Sequence, residues 1–149
     1  VAQAEFSRSD RNRAICYLLR SLGLVTSEVE DLLWAYCQLC AIQVSVTDLA
    51  RAGSCLAHDE LIESSDELPP ATVVHALRRL MLTTGMYVDS GRFAYEVGIP
   101  AKCGVSGAML GIIPGVGGIG IYGPALDVAS NSIGGVRLMG ALSTALDLR

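Results

Sequence analysis

Gly98-Ile99-Pro100-Ala101-Lys102-Cys103-Gly104-Val105-Ser106-Gly107, with Gly85-Met86-Tyr87 upstream and two apolar runs downstream, decides how the chain is read. Lys102 is the only lysine, and it opens a Lys-Cys-Gly step just before the run Ala108–Ile113. A glycine at that point removes a side chain, so a ligand can lie against the strand, and the N–H groups beyond it can face a developing negative charge. From Gly85 onward the period of apolar residues changes to two. Phe93–Val97, Ala108–Ile113 and Ile119–Tyr122 each alternate as strands, and Pro114-Gly115-Val116-Gly117-Gly118 supplies the turn between the last two. The expectation is a three-stranded antiparallel sheet.

Working outward, the upstream chain has helical spacing. Ser9 or Asp10 can cap a helix over Ser9–Leu22, with Ala14, Ile15, Leu18 and Leu22 as its apolar side and Gly23 as its stop. Ser27-Glu28-Val29-Glu30 has the form of a capping box before a second helix bearing Leu32, Leu33, Tyr36, Leu39 and Cys40. Thr47 or Ser45 caps a third, running to about Ala57. His58–Leu68 reads as acidic and irregular, and Pro69-Pro70 then fits the first turn of a fourth helix ending near Leu82. Downstream, Asn131 or Ser130 caps a closing helix through Leu148, with Ile133, Val136, Leu138, Leu142 and Leu146 on its apolar side. A helical segment, a three-stranded antiparallel sheet and a C-terminal helix make an α+β fold, and no internal repeat is visible.

At 149 residues the chain has the size of one domain. Its hydrophobic content of 51% and mean hydropathy of +0.44 are high for a soluble domain this small. The most apolar region, Ala108–Leu126, is broken by Pro114, Pro124 and several glycines and does not read as a membrane span. Such apolarity equally suits a surface that meets another segment or subunit. A net charge of −4 with scattered arginines argues against nucleic acid as a partner. Five cysteines cannot all pair and no signal-peptide pattern precedes them, so a reducing, cytoplasmic setting is expected. The chain begins Val-Ala-Gln-Ala without an initiator methionine, as a segment of something longer would.

Several side chains have the chemistry of a site. Glu5 and Asn12 stand seven residues apart, and a carboxylate with an amide suits an amino-acid ligand: one holds the α-ammonium, the other donates to the α-carboxylate. The spacing alone favours the plainer reading of a solvated glutamate and a helix-end asparagine. Cys37-x-x-Cys40 has the look of a metal or redox motif, but it lies in a predicted helix with no second pair, and the only histidines, His58 and His75, are distant. No metal and no cofactor are expected. Tyr87 can relay a proton from a nucleophile to a departing amine, or be a buried tyrosine with one hydroxyl partner. Cys103 has no histidine near it in sequence to activate a thiol, and a small buried residue is the better reading.

A Lys-x-Gly triplet at a strand start is also how penicillin-recognising enzymes place a cation beside a serine. The longer wording is more specific. Gly85-Met86-Tyr87 and Phe93-Ala94-Tyr95-Glu96-Val97-Gly98-Ile99-Pro100-Ala101-Lys102-Cys103-Gly104-Val105-Ser106-Gly107 resemble the serine-dependent glutaminases of β-lactamase-like fold, which read G-M-Y and then F-A-Y/F-x-V-G-L-P-A-K-S-G-V-x-G-G. Ala4-Glu5-Phe6-Ser7-Arg8-Ser9-Asp10-Arg11-Asn12 is similar to the family's S-E-x-x-S-G-D-R-N, and Tyr36-Cys37-Gln38-Leu39-Cys40 to its Y-x-Q-L/Q-C-S. The resemblance implies hydrolysis of L-glutamine to L-glutamate and ammonia through an acyl-enzyme. It implies substrate-binding roles for Glu5, Asn12 and Tyr36, a proton relay at Tyr87 and an oxyanion donor in the Val105 backbone N–H. Tyr36 is otherwise a core tyrosine of its helix.

The family's nucleophile belongs to a Ser-x-x-Lys pair, which this chain cannot contain, because the residue three before its one lysine is Ile99. Residues 1–149 thus correspond to the C-terminal part of a glutaminase-like catalytic domain, expected to be inactive alone. A segment carrying the Ser-x-x-Lys is the expected partner, or self-association as a homo-oligomer, with one edge and one face of the sheet left uncovered. Departures from the pattern are Ser9 for glycine, Ala41 and Cys103 for serine, the acidic Leu56-Ala57-His58-Asp59-Glu60 for L-A-N-G-G, and Tyr122-Gly123-Pro124 for W-S-P. Two other readings stand beside this one: a non-catalytic amino-acid-binding or interaction module derived from the fold, and a divergent penicillin-binding or esterase-like relative.

Overall fold

The computed structural model describes residues 1–59 and 69–148, in two compact units, Val1–Gln43 and Val44–Arg149. Helices and a three-stranded antiparallel sheet give the expected α+β architecture.

The first unit holds α1 (Ala2–Arg8), α2 (Asp10–Ser21) and α3 (Val29–Cys40). The predicted single helix from Ser9 is two helices that break at Ser9, because the Ser9 hydroxyl turns back to donate to the Glu5 carbonyl at 2.6 Å instead of capping α2. Ser27 does not cap α3; Glu28 stands at that position, and its carboxylate takes both nitrogens of a bidentate bond from Arg20 at 3.0 Å. Phe6 of α1 meets Trp34 of α3 edge-to-face at 5.5 Å. Arg13 lies over the Phe6 ring and donates to Glu30 through two nitrogens, tying α1 and α2 to α3. The buried residues of α3 are Val29, Leu33 and Cys37, whereas Ile15, Leu18, Leu22 and Leu39, expected on apolar inner faces, are exposed.

In the second unit the helices are α4 (Val46–Cys55), α5 (Ala71–Thr84), α6 (Ser90–Glu96) and α7 (Ile133–Ala145). The strands are β1 (Ala101–Cys103), β2 (Ala108–Ile113) and β3 (Gly117–Tyr122), ordered β1-β2-β3. Ser45 caps α4 in a reciprocal box with Asp48, and α5 follows Pro70 as the proline pair anticipated. Residues 60–68 of the acidic stretch fall outside the described residues. Phe93–Val97 is not a strand. Phe93 and Val97 are buried one helical turn apart with Tyr95 exposed, a pattern that alternation over five residues does not separate from a helix. The first strand is instead Ala101–Cys103, pairing Ala101 with Gly111 and Cys103 with Met109.

Alternation on the sheet sets its two faces. Leu110 and Ile112 share one face with Gly118 and Gly120, on which α4 lies so closely that a Cβ on Gly118 would come 2.2 Å from the Ala50 carbonyl oxygen. Met109, Ile113 and Ile121 share the other face with Phe93, Val97 and Met139. Both faces therefore carry helices, and the expectation of an uncovered face does not hold. The closing helix is capped by Ser132, whose hydroxyl accepts from the Gly135 N–H, and not by Asn131 or Ser130. Its inner face is Gly135, Met139 and Ser143; Leu138 and Leu146 face solvent, because the small residues let the helix sit against the Met109 sulfur and the Val97 carbonyl.

Candidate functional site

Glu5, Asn12 and Tyr36 belong to the first unit. Glu5 is exposed on α1 and Asn12 is half-buried in the first turn of α2, so the two stand on different helices on either side of Ser9. Tyr36 is 49% exposed on α3, which removes the core-tyrosine reading. Its neighbour Cys37 is fully buried 3.9 Å from the Ser9 hydroxyl, while Cys40 is exposed, and both are free thiols.

Tyr87, Lys102, Cys103 and Val105 belong to the second unit, where one hydrogen-bonded element carries them. The chain leaves α5 at Gly85, whose Cβ would collide with the Ala101 carbonyl oxygen, and the Gly85 carbonyl accepts from the Cys103 N–H at 3.2 Å. This turn therefore covers the outer edge of β1, and only glycine fits it. Tyr87 follows as the first residue of a 3-10 turn, Tyr87–Asp89, with φ 53°, in the left-handed region that a tyrosine rarely occupies. It leads into α6, not into a strand as expected. The ring is 38% exposed, which does not fit a buried structural tyrosine.

Alternation along β1 buries Ala101 and Cys103 and turns Lys102 outward, placing its ammonium 4.5 Å from the centre of the Tyr87 ring. The same ammonium donates to the Cys103 carbonyl. A cation over an exposed ring contributes about 0.5–1 kcal/mol. It also sets a fixed positive charge beside the phenol. Cys103 is fully buried and its sulfur accepts from the Ser132 N–H at 3.2 Å, so it is a packed thiol, as expected.

Val105 sits in the turn between β1 and β2, in which the Gly107 N–H donates to the Gly104 carbonyl at 2.9 Å. It holds the first central position, where the N–H takes no part in the turn's own bonding. Its side chain is 71% exposed. Gly107 closes the turn at φ 90°, with no room for a Cβ against the Gly123 carbonyl.

Two residues escaped sequence reasoning. Ser90 accepts from the Met86 N–H at 3.0 Å and donates to the Tyr87 carbonyl at 2.7 Å. Asn131, read only as a helix cap, donates through Nδ2 to the Met86 carbonyl at 3.1 Å. Ser90 was open to notice as the small polar residue three after a motif tyrosine. Nothing local signals the Asn131 contact across 45 positions. Among the described residues no group of histidine, cysteine or carboxylate side chains could hold a metal ion.

The glutaminase family model matches residues 1–149. The chain is 45% identical over 149 residues to the glutaminase of Clostridium tetani, covering 99% of this chain and 49% of that protein. It is equally 45% identical to the glutaminase of Geobacillus thermodenitrificans, covering 48% of that protein. The chain thus spans about half the length of the curated relatives it matches. Among solved structures it is similar to the Bacillus subtilis glutaminase YbgJ in covalent complex with 5-oxo-L-norleucine, formed by reaction with 6-diazo-5-oxo-L-norleucine. That match has a TM-score of 0.91 at 38% identity and covers 99% of this chain and 53% of the other.

Proposed function

The chain belongs to the glutaminase family, and on that premise we propose that it forms the C-terminal part of a catalytic domain that hydrolyses L-glutamine to L-glutamate and ammonia. The observation that carries this reading is Tyr87. It is a half-exposed phenol in left-handed backbone, under the Lys102 ammonium, on the same hydrogen-bonded element as the Val105 turn. The reactivity of the Bacillus subtilis relative toward a diazo-ketone analogue supports a covalent route.

A serine hydroxyl from another segment attacks the side-chain amide carbon. The Val105 N–H donates to the oxygen on which negative charge develops. Tyr87 passes the serine proton to the departing nitrogen, ammonia leaves, and water then releases glutamate from the acyl-serine. Glu5 holds the α-ammonium of the substrate, Asn12 donates to its α-carboxylate and Tyr36 lines the pocket. Lys102 is not the lysine of a Ser-x-x-Lys pair, since Ile99 stands three residues before it. The exposed apolar residues of α2 and α3 support a further segment, or a second copy, covering the first unit. A cytoplasmic setting is supported by five unpaired thiols. No helix among the described residues is long and apolar enough to cross a membrane.

Ammonia release from glutamine tests the proposal, measured for this chain alone and after mixing with a segment carrying a glutaminase Ser-x-x-Lys. Activity only in the mixture is the expected result. Activity of the chain alone overturns the missing-nucleophile argument and directs attention to Cys103. The lack of a Ser-x-x-Lys favours one other reading, an amino-acid-binding module without chemistry. Glutamine binding with no activity in a folded mixture would select it.

A further inference from the structure

A residue that moves protons must hold its hydroxyl in one place, yet Tyr87 stands on backbone strained for any side chain with a Cβ. Such a conformation persists only where its surroundings over-determine it. Here both carbonyls that flank the residue are held by buried side chains. Asn131, 1% exposed, donates to the Met86 carbonyl, and Ser90, 4% exposed, donates to the Tyr87 carbonyl while accepting from the Met86 N–H. Asn131 is itself fixed, because its N–H donates to the Asp127 carboxylate at 2.9 Å. The next residue, Ser132, bonds the Cys103 sulfur, and Cys103 bonds Gly85. A closed ring of hydrogen bonds thus runs from Gly85 through β1 and the start of α7 back to Met86.

We propose that Ser90 and Asn131 are positioning residues that clamp the Met86–Tyr87 turn and so aim the Tyr87 phenol. The proposal rests on the reading of Tyr87 as the proton relay. Its two arms can fail separately. Ser90→Ala removes both bonds of the hydroxyl at almost constant volume, and Ser90→Thr restores a hydroxyl.

In the chain alone, tyrosine-ring carbon–proton NMR signals report the clamp. The Tyr87 signals are identified by their loss in Tyr87→Phe. They are expected to move in Ser90→Ala and to return toward their original place in Ser90→Thr, while those of Tyr17, Tyr36, Tyr95 and Tyr122 stay put. In the mixture with a Ser-x-x-Lys segment, Ser90→Ala is expected to lower kcat about tenfold, with KM held within about twofold. Should the alanine variant fail to fold, Ser90→Cys fills the same volume with a poor donor and carries the same readout. Tyr87 signals unmoved in a folded Ser90 variant overturn the proposal. Signals that move while Tyr87→Phe leaves the rate unchanged uphold the clamp and overturn only the relay.

Discussion

At Tyr87 the backbone comes before the ring. Left-handed geometry costs a residue with a Cβ about 1–2 kcal/mol, and the Lys102 ammonium over an exposed ring returns only about 0.5–1 kcal/mol. The buried hydrogen bonds from Ser90 and Asn131 make up the difference, so the strained turn and its clamp belong together. Glu5 is the opposite case, a carboxylate on the exposed side of a short helix whose cost in the free chain is negligible. On the proposed reading its value arises on binding. A charge-assisted bond to an α-ammonium is worth about 1.5–3 kcal/mol, so Glu5→Gln is expected to raise KM for glutamine about tenfold to a hundredfold in the mixture, with kcat within about threefold. Steady-state ammonia kinetics check this, and an unchanged KM removes Glu5 from the ammonium site. Glu5 and Tyr87 stood out in the sequence because a motif contains the residue itself. Ser90 and Asn131 were not, because their roles are in backbone contacts, and the Asn131 contact spans 45 positions.

At the scale of elements, glycine on β3 decides the packing of α4. Gly118 and Gly120 let the helix backbone descend onto the strand, and a Cβ on Gly120 would lie 2.0 Å from the Val46 carbonyl oxygen. That neighbour is main chain and cannot rotate away, so the helix must lift. Overpacking of this kind costs about 1–3 kcal/mol or more, whereas losing the Ser45 cap of the same helix costs about 1 kcal/mol. Urea unfolding is therefore expected to place Gly120→Ala below Ser45→Ala in stability. The reverse order would mean that α4 is held by its cap and not by its seat on the sheet. In the sequence Gly118 read as a turn residue and Gly120 as part of a strand, and only register showed that the two line one packed face. The same limit misassigned Phe93–Val97. Five residues satisfy both periods, and the choice was made by burial of Phe93 and Val97 against Met109 and Met139.

For the molecule as a whole, fold class, strands β2 and β3 and the order of most helices were legible, while the inner faces of α3 and α7 were legible only in part, at Leu33 and Val136, and that of α2 was not. Apolar periodicity marked Leu18, Leu22, Leu39 and Leu138, yet these are exposed; α2 buries no residue, and α7 buries Gly135, Met139 and Ser143 instead. On the proposed reading, in which a further segment or second copy covers these residues, one stripe in the sequence serves two surfaces. Charge is more evenly spread. Arg78, buried in α5, donates to the Leu56 carbonyl at 2.7 Å and meets the Asp59 carboxylate at 2.8 Å, with His75 3.3 Å from the same oxygen. The Arg78 hydrogen bond, then His75, holds the Asp59 carboxyl below the usual carboxylate range. Bonds from the Ser45 hydroxyl and N–H lower Asp48 likewise. A carboxyl whose pKa falls on folding stabilises the native state at every pH above its unfolded value, near 3.9. That stabilisation is lost as pH falls through the lower folded value. Thermal midpoints are therefore expected to be steady from neutral pH down to about pH 4 as far as these two groups are concerned, and to drop below it. Asp59→Asn should lower the midpoint at neutral pH by leaving Arg78 buried without its counter-charge, and should flatten the acid decline. An acid decline as steep in Asp59→Asn as in the unaltered chain would show that the Arg78–Asp59 pair does not couple the segment after α4 to α5.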